Sequence, residues 1–165
     1  MTDSPGQRRL TATADIMAAA YYLPHDAPMV LLDRVCAIGA DYARCRVTVD
    51  DGGALRPFLN SEGDLPGWYA LEMMAQTVGV WSGWHGRQRG DPPRTGLLLG
   101  ARALNCAQPV FSAGSELDIS VTLLLQDQHI GSFDCVICRA GETVATGRLT
   151  TYQSSDQEIN TLLKD

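Results

Sequence analysis

The sequence predicts an α+β domain in which a curved antiparallel sheet wraps around one long central helix. Three observations point to it. Residues Trp68 to Arg89 carry apolar side chains at three- and four-residue spacing on more than one side of a helix, and four β-like segments follow them. Two further β-like segments precede them, and a helix that is apolar nearly all round must be covered by those strands.

The elements follow in order. Thr13 to Tyr22 combines good helix formers with a Thr able to cap them, and Leu23-Pro24 stops the run. Met29 to Ile38 and Ala43 to Val49 are β-rich, and Gly39-Ala40-Asp41 between them predicts a hairpin. Asp50 to Gly67 holds four Gly and two Pro in eighteen residues, which predicts a loop. The long helix then runs to the hard stop at Asp91-Pro92-Pro93. It contains Gly79 and Gly83, each costing roughly 1 kcal/mol relative to Ala, so something must pack closely on it. Gly96 to Ala107, Ser115 to Gln126, Ile130 to Arg139 and Glu142 to Gln153 are the four later strands. The domain spans residues 1–153, and residues 154–165 form a polar tail.

Composition narrows the function. Thirteen Lys and Arg against nineteen Asp and Glu leave a formal charge of -6, which disfavours nucleic acid as a partner. Twelve of those cations are Arg, a bias toward planar anion recognition. Five cysteines, an odd count, and a polar start with no apolar signal core fit a reducing, cytoplasmic setting. No apolar run approaches the ~18 residues of a membrane span. Cys135 and Cys138 have the spacing of a redox or zinc pair, but on a strand residues three apart face opposite ways. Neither His85 nor His129 has a carboxylate or second His at ligand spacing, so no metal site is expected. No glycine-rich phosphate loop is present.

Several motifs, taken together and in order, resemble the bacterial beta-hydroxyacyl-acyl carrier protein dehydratases, whose fold is the hot-dog. Leu23-Pro24-His25-Asp26-Ala27-Pro28-Met29-Val30-Leu31-Leu32-Asp33-Arg34-Val35 looks like their opening motif. Pro66-Gly67-Trp68-Tyr69-Ala70-Leu71-Glu72-Met73-Met74-Ala75-Gln76 looks like the start of their central helix, and the likeness runs on through Trp84. Leu99-Gly100-Ala101-Arg102 and Pro109-Val110-Phe111-Ser112-Ala113-Gly114 resemble the next strand and its turn. The resemblance covers about Tyr21 to Gln153.

The resemblance implies elimination of water from a 3-hydroxyacyl thioester, carried on the phosphopantetheine of acyl carrier protein or on coenzyme A, with no bound cofactor. Such a reaction needs a base for the α-proton, an acid for the departing hydroxyl and donors for the thioester carbonyl. Glu72 stands at the family's catalytic carboxylate and is also the sole acid of the long helix. Its neighbours Leu71, Met73 and Met74 would desolvate it, although a first-turn Glu is also favoured as a solvent-facing residue. Gly67 matches the glycine whose N–H receives the thioester carbonyl, against the alternative of a simple loop glycine. Gln76, one turn after Glu72, would orient its carboxyl group or be an ordinary helix residue. Apolar residues from Met73 to Trp84 would line an acyl tunnel.

One position departs from the pattern. The family's catalytic His lies fourteen residues before the carboxylate, and here that position is Phe58. His25 is the candidate base, against a role in capping the first helix or bonding the Asp33-Arg34 strand. Leu-Pro-His and Glu without Gly-His-Phe-Pro resembles a divergent branch, the dehydratase-like proteins of aryl-polyene and related polyketide clusters, members of which can pair with a second hot-dog protein. The expected partners are acyl carrier protein and either a second copy, in a dimer or higher homo-oligomer, or another hot-dog chain that supplies the base. Arg87, Arg89, Arg94 and Arg102 form a candidate carrier-protein docking patch, or are ordinary solvated arginines. A non-catalytic subunit and a hot-dog thioesterase are the rival readings.

Overall fold

The computed structural model describes residues 19–22, 29–90 and 96–153. Its elements are a 3-10 turn at Ala19–Tyr22, strands β1 (Arg34–Ile38) and β2 (Tyr42–Thr48), a 3-10 turn at Arg56–Phe58, β3 (Leu65–Pro66), helix α1 (Tyr69–Gln88), then β4 (Gly96–Cys106), β5 (Val110–Phe111), β6 (Glu116–Asp127), β7 (Ile130–Arg139) and β8 (Glu142–Gln153). Six strands form one antiparallel sheet in the order β1-β2-β6-β7-β8-β4, and β3 pairs with β5 in a second, two-stranded sheet.

Strict alternation makes one face of the large sheet dry. Cys45 lies opposite Ile119, Ile119 opposite Ile137, and Ile137 opposite Ala145, so four strands contribute one continuous apolar row. All four residues are buried. Residues an odd number of steps along each strand face away from that row, where Arg46 meets Asp118 at 2.8 Å and Arg148 meets Asp134 at 3.0 Å. An antiparallel sheet tolerates this arrangement because only one of its faces needs cover.

Helix α1 supplies the cover. Trp81 packs edge-on against Phe133 of β7 with ring centroids 5.3 Å apart. A Cβ on Gly147 would come within 3.3 Å of Met74 Sδ and 3.0 Å of Leu104 Cδ1, so the glycine in β8 lets helix and edge strand meet across it. The close packing expected at the helix glycines is present at Gly83, where a Cβ would collide with the Tyr22 backbone carbonyl. Cys135 is buried while Cys138 is half-buried one step past the register shift of β7, so the pair does diverge.

Three boundaries differ from the sequence expectation. Of the helix expected at Thr13 to Tyr22, Ala19–Tyr22 is a 3-10 turn and the rest lies outside the described residues. The first strand begins at Arg34 rather than Met29, because Leu31 N–H and Met29 C=O bond the side chain of Gln76 instead of a neighbouring strand. The loop from Asp50 to Gly67 is more ordered than its glycines and prolines suggest: Leu55 and Leu65 are fully buried, and Asp64 Oδ1 accepts the Ala113 N–H at 2.8 Å.

Candidate active site

Glu72 sits in the first turn of α1 and is exposed. The desolvation expected from Leu71, Met73 and Met74 is absent within the single chain. Successive helix residues are about 100° apart, so Met73 and Met74 point into the core while Glu72 points out. Met29 and Trp68 are themselves 57% and 75% exposed, large apolar groups left uncovered close to the Glu72–Gln76 turn.

Gln76 is buried and holds that turn. Its Oε1 accepts the Leu31 N–H at 2.8 Å, and its Nε2 donates to Met29 O at 2.8 Å and to Glu72 Oε1 at 3.0 Å. The i, i+4 relation expected between the two side chains is thus an actual hydrogen bond. The two backbone contacts to Met29 and Leu31 were not visible in the sequence, since they span 45 or more residues.

Gly67 stands just before α1, as its motif implies, but its N–H is already bonded. Its N–H donates to Pro109 O at 2.8 Å, continuing the β3–β5 pairing, so the amide expected to receive a thioester carbonyl is engaged within the chain. The glycine is still required: a Cβ would lie 2.9 Å from Pro109 O and 3.2 Å from Gln108 O. Phe58 is half-buried and packs on Tyr69, ring centroids 5.3 Å apart and planes tilted by 58°. Tyr69 and Trp68, three and four residues before Glu72, have no role in the sequence motif that contains them, although that spacing alone puts them on its helix face.

His25 and Arg94 lie outside the described residues. His85 is thirteen residues beyond Glu72, about 20 Å along the helix axis. There it bonds Gly39 O at 2.8 Å between the rings of Trp81 and Trp84. His129 stands in the β6–β7 turn against Tyr152. The arginine patch does not hold together as drawn. Arg87 and Arg89 are at the C-terminal end of α1, but Arg102 pairs with Arg148 across β4 and β8. Its neighbour Ala101 pairs with buried Leu149, so strand alternation turns Arg102 to the sheet face away from the helix. The expected tunnel lining is also divided: Met73, Met74, Val78, Val80 and Trp81 are spent in the core, leaving Ala75 and Trp84 half-buried. No cluster of His, Cys, Asp or Glu suited to a metal ion occurs among the described residues, and none of their helices is long and apolar enough to cross a membrane.

Comparison with known proteins decides the family. The model of the ApeP-like family, described as ApeP dehydratase, matches residues 17–164. This chain belongs to the ApeP-like dehydratase family. It is 49% identical to a chain of the dehydratase heterocomplex ApeI:P from Xenorhabdus doucetiae, covering 90% of this chain and 99% of that one with a TM-score of 0.85. More distant likenesses show the hot-dog fold alone. A hypothetical thioesterase from Streptococcus pneumoniae TIGR4 with coenzyme A is 16% identical over 74% of this chain and 88% of its own, TM-score 0.58. The E. coli PaaI protein of the phenylacetic acid degradation operon is 17% identical over 72% and 80%, TM-score 0.55. The ApeP-like dehydratases thus have a member here whose central helix carries Glu72 in its first turn and whose Phe58 packs on the neighbouring Tyr69.

Proposed function

We propose that this chain works with a second hot-dog chain to dehydrate a 3-hydroxyacyl thioester to the trans-2-enoyl thioester in fatty-acid or polyketide-type biosynthesis. The acyl group is carried on the phosphopantetheine of an acyl carrier protein in preference to coenzyme A. The observation that carries this reading is the Glu72 carboxylate, exposed at the start of the helix and held by buried Gln76. Glu72 is the general acid that protonates the departing 3-hydroxyl, so that water leaves as the base takes the α-proton. A neutral carboxylic acid needs a dry setting, and a partner covering Met29 and Trp68 would supply it.

The base is His25 or an imidazole of the partner. His85 and His129 are held elsewhere in the fold, as described above. His25 is four residues before Met29 in the chain, and the Met29 carbonyl binds the Gln76 amide that holds Glu72. Phe58 packed on Tyr69 at the usual base position favours the second source, and the solved relative is a heterocomplex. Edge strand β4 offers the surface for such a partner, with Leu98, Leu99 and Leu104 exposed along it. Arg87, Arg89 and Arg94, without Arg102, are the proposed carrier-protein contacts.

The test is dehydration of a 3-hydroxyacyl carrier substrate by the isolated chain and by the chain with its hot-dog partner. Glu72→Gln abolishes turnover in the active form and leaves the melting temperature unchanged, because the side chain is exposed. Undiminished activity of that variant overturns the assignment. Turnover by the pure homodimer assigns the base to His25, and turnover only in the mixed complex assigns it to the partner.

A further inference from the structure

As the α-proton of a thioester leaves, the carbonyl oxygen gains charge and needs a hydrogen-bond donor aimed at it. Gly67 N–H does not meet that need here. It is donated to Pro109 O, and the two backbone segments are in such close contact that even a methyl group would not fit between them.

Tyr69 lies two residues further on, in the first turn of α1, three residues before Glu72 and so on the same side of the helix, with Cβ atoms about 5–6 Å apart. Its ring is half-buried and wedged between Phe58, at 5.3 Å, and Trp68, at 6.0 Å. Phe58 has no polar atom to offer, but its ring constrains the ring of Tyr69. No described residue bonds the Tyr69 hydroxyl. Trp68 carries the other side-chain donor of this turn, but at 75% exposure it is far less constrained.

We propose that the Tyr69 hydroxyl is the hydrogen-bond donor to the thioester carbonyl, a catalytic residue in a site whose usual imidazole is replaced by Phe58. The inference rests on the dehydratase reading above. A phenol suits the task, being neutral at pH 7 and able to donate without giving up its proton. The balance of the elimination is therefore unchanged: the α-proton goes to the base, the C–O bond breaks, and the hydroxyl leaves as water with the proton from Glu72. The Phe58–Tyr69 contact sets the ring before substrate arrives, which lowers the cost of ordering it.

The experiment compares Tyr69→Phe with Glu72→Gln in whichever form of the protein, alone or with its partner, turns over the 3-hydroxyacyl carrier substrate. Tyr69→Phe keeps the ring contact and removes one oxygen. The expected result is a fall in kcat of roughly 10²–10³-fold with KM little changed. A Tyr69→Phe variant within threefold of wild type while Glu72→Gln is inactive overturns the role of Tyr69 and leaves the dehydratase reading standing. Wild-type turnover by both overturns the reading itself. If Tyr69→Phe lowers the melting temperature, kcat and KM are compared at a temperature where both proteins remain folded. A fall in kcat of the expected size with KM little changed there supports the proposal, and turnover within threefold of wild type overturns it.

Discussion

Gln76 Nε2 donates a 3.0 Å hydrogen bond to Glu72 Oε1, and the same amide group is anchored at 2.8 Å to the backbone of Met29 and of Leu31. One buried amide therefore fixes both the carboxylate of the candidate site and the chain that leads into the first strand. A long-range backbone contact and the orientation of the Glu72 carboxylate share a single side chain.

Replacing Gln76 with Leu keeps the volume and removes all three bonds. It leaves the Leu31 N–H and the Met29 carbonyl without partners, a cost of about 1–3 kcal/mol each where burial is complete. Urea denaturation is expected to show a loss of stability in that range, and the dehydration assay a fall in kcat as Glu72 loses its orientation. Wild-type stability for this variant would show that the Met29–Leu31 segment is held by something else.

Gly83→Ala tests the packing of the N-terminal turn on the helix. In an exposed helix this change stabilises by about 1 kcal/mol. Here a Cβ meets the Tyr22 carbonyl, so backbone must shift and the expected net effect is a destabilisation of about 1–3 kcal/mol by denaturant unfolding. A more stable variant would mean that the turn at Ala19–Tyr22 is not seated on α1.

The five thiols should divide into two classes. Burial pushes Cys45 and Cys135 up to about 12, far above ordinary assay pH, and neither sulfur is accessible. Cys36, Cys106 and Cys138 are half-buried. At pH 8 a thiol reagent is expected to modify at most those three in the native protein and all five after unfolding, since the thiolate is the reacting species. Rapid native modification of Cys45 would contradict the buried row it shares with Ile119.

His85 makes stability depend on pH. Burial lowers its pKa below the ordinary 6.5, the charge of Arg89 adds to that, and the hydrogen bond to Gly39 O opposes it in part. The folded state therefore binds fewer protons than the unfolded one below 6.5, and stability falls as pH drops from 6.5 through the depressed folded value. His85→Gln is expected to flatten the denaturation midpoint over that window relative to wild type. Parallel pH profiles for the two proteins would show that His85 does not titrate differently on folding.

Much of this was legible in the chain itself. The central helix, the hairpin and the four later strands follow from apolar period and from Gly, Pro and Asp-rich breaks, and apart from the start of the first strand they are found within one residue of their expected ends. Local chemistry sets such features, so local sequence reveals them. The Glu72–Gln76 pair was equally readable, because four residues on a helix are one turn whatever surrounds it.

The misreadings concern residues whose surroundings come from elsewhere in the chain. Gly67 N–H looks available until β5 is laid beside β3 and Pro109 O takes it. Arg102 looks like a neighbour of Arg87 and Arg89 until the pairing of Ala101 with Leu149 turns it to the other face of the sheet. Met73 and Met74 look like a dry wall for Glu72 until the core claims them.

By itself, then, the sequence determined the order of the central helix and the six long strands, the apolar face of each strand, the position of the one helix acid and the presence of Phe58 fourteen residues before it. Only the tertiary structure decided which amides are spent, which arginines share a surface and that Tyr69 rests on Phe58 beside the carboxylate. Periodicity carries the first set because it repeats every two or 3.6 residues. The second depends on pairings between segments tens of residues apart, on which short-range patterning is silent.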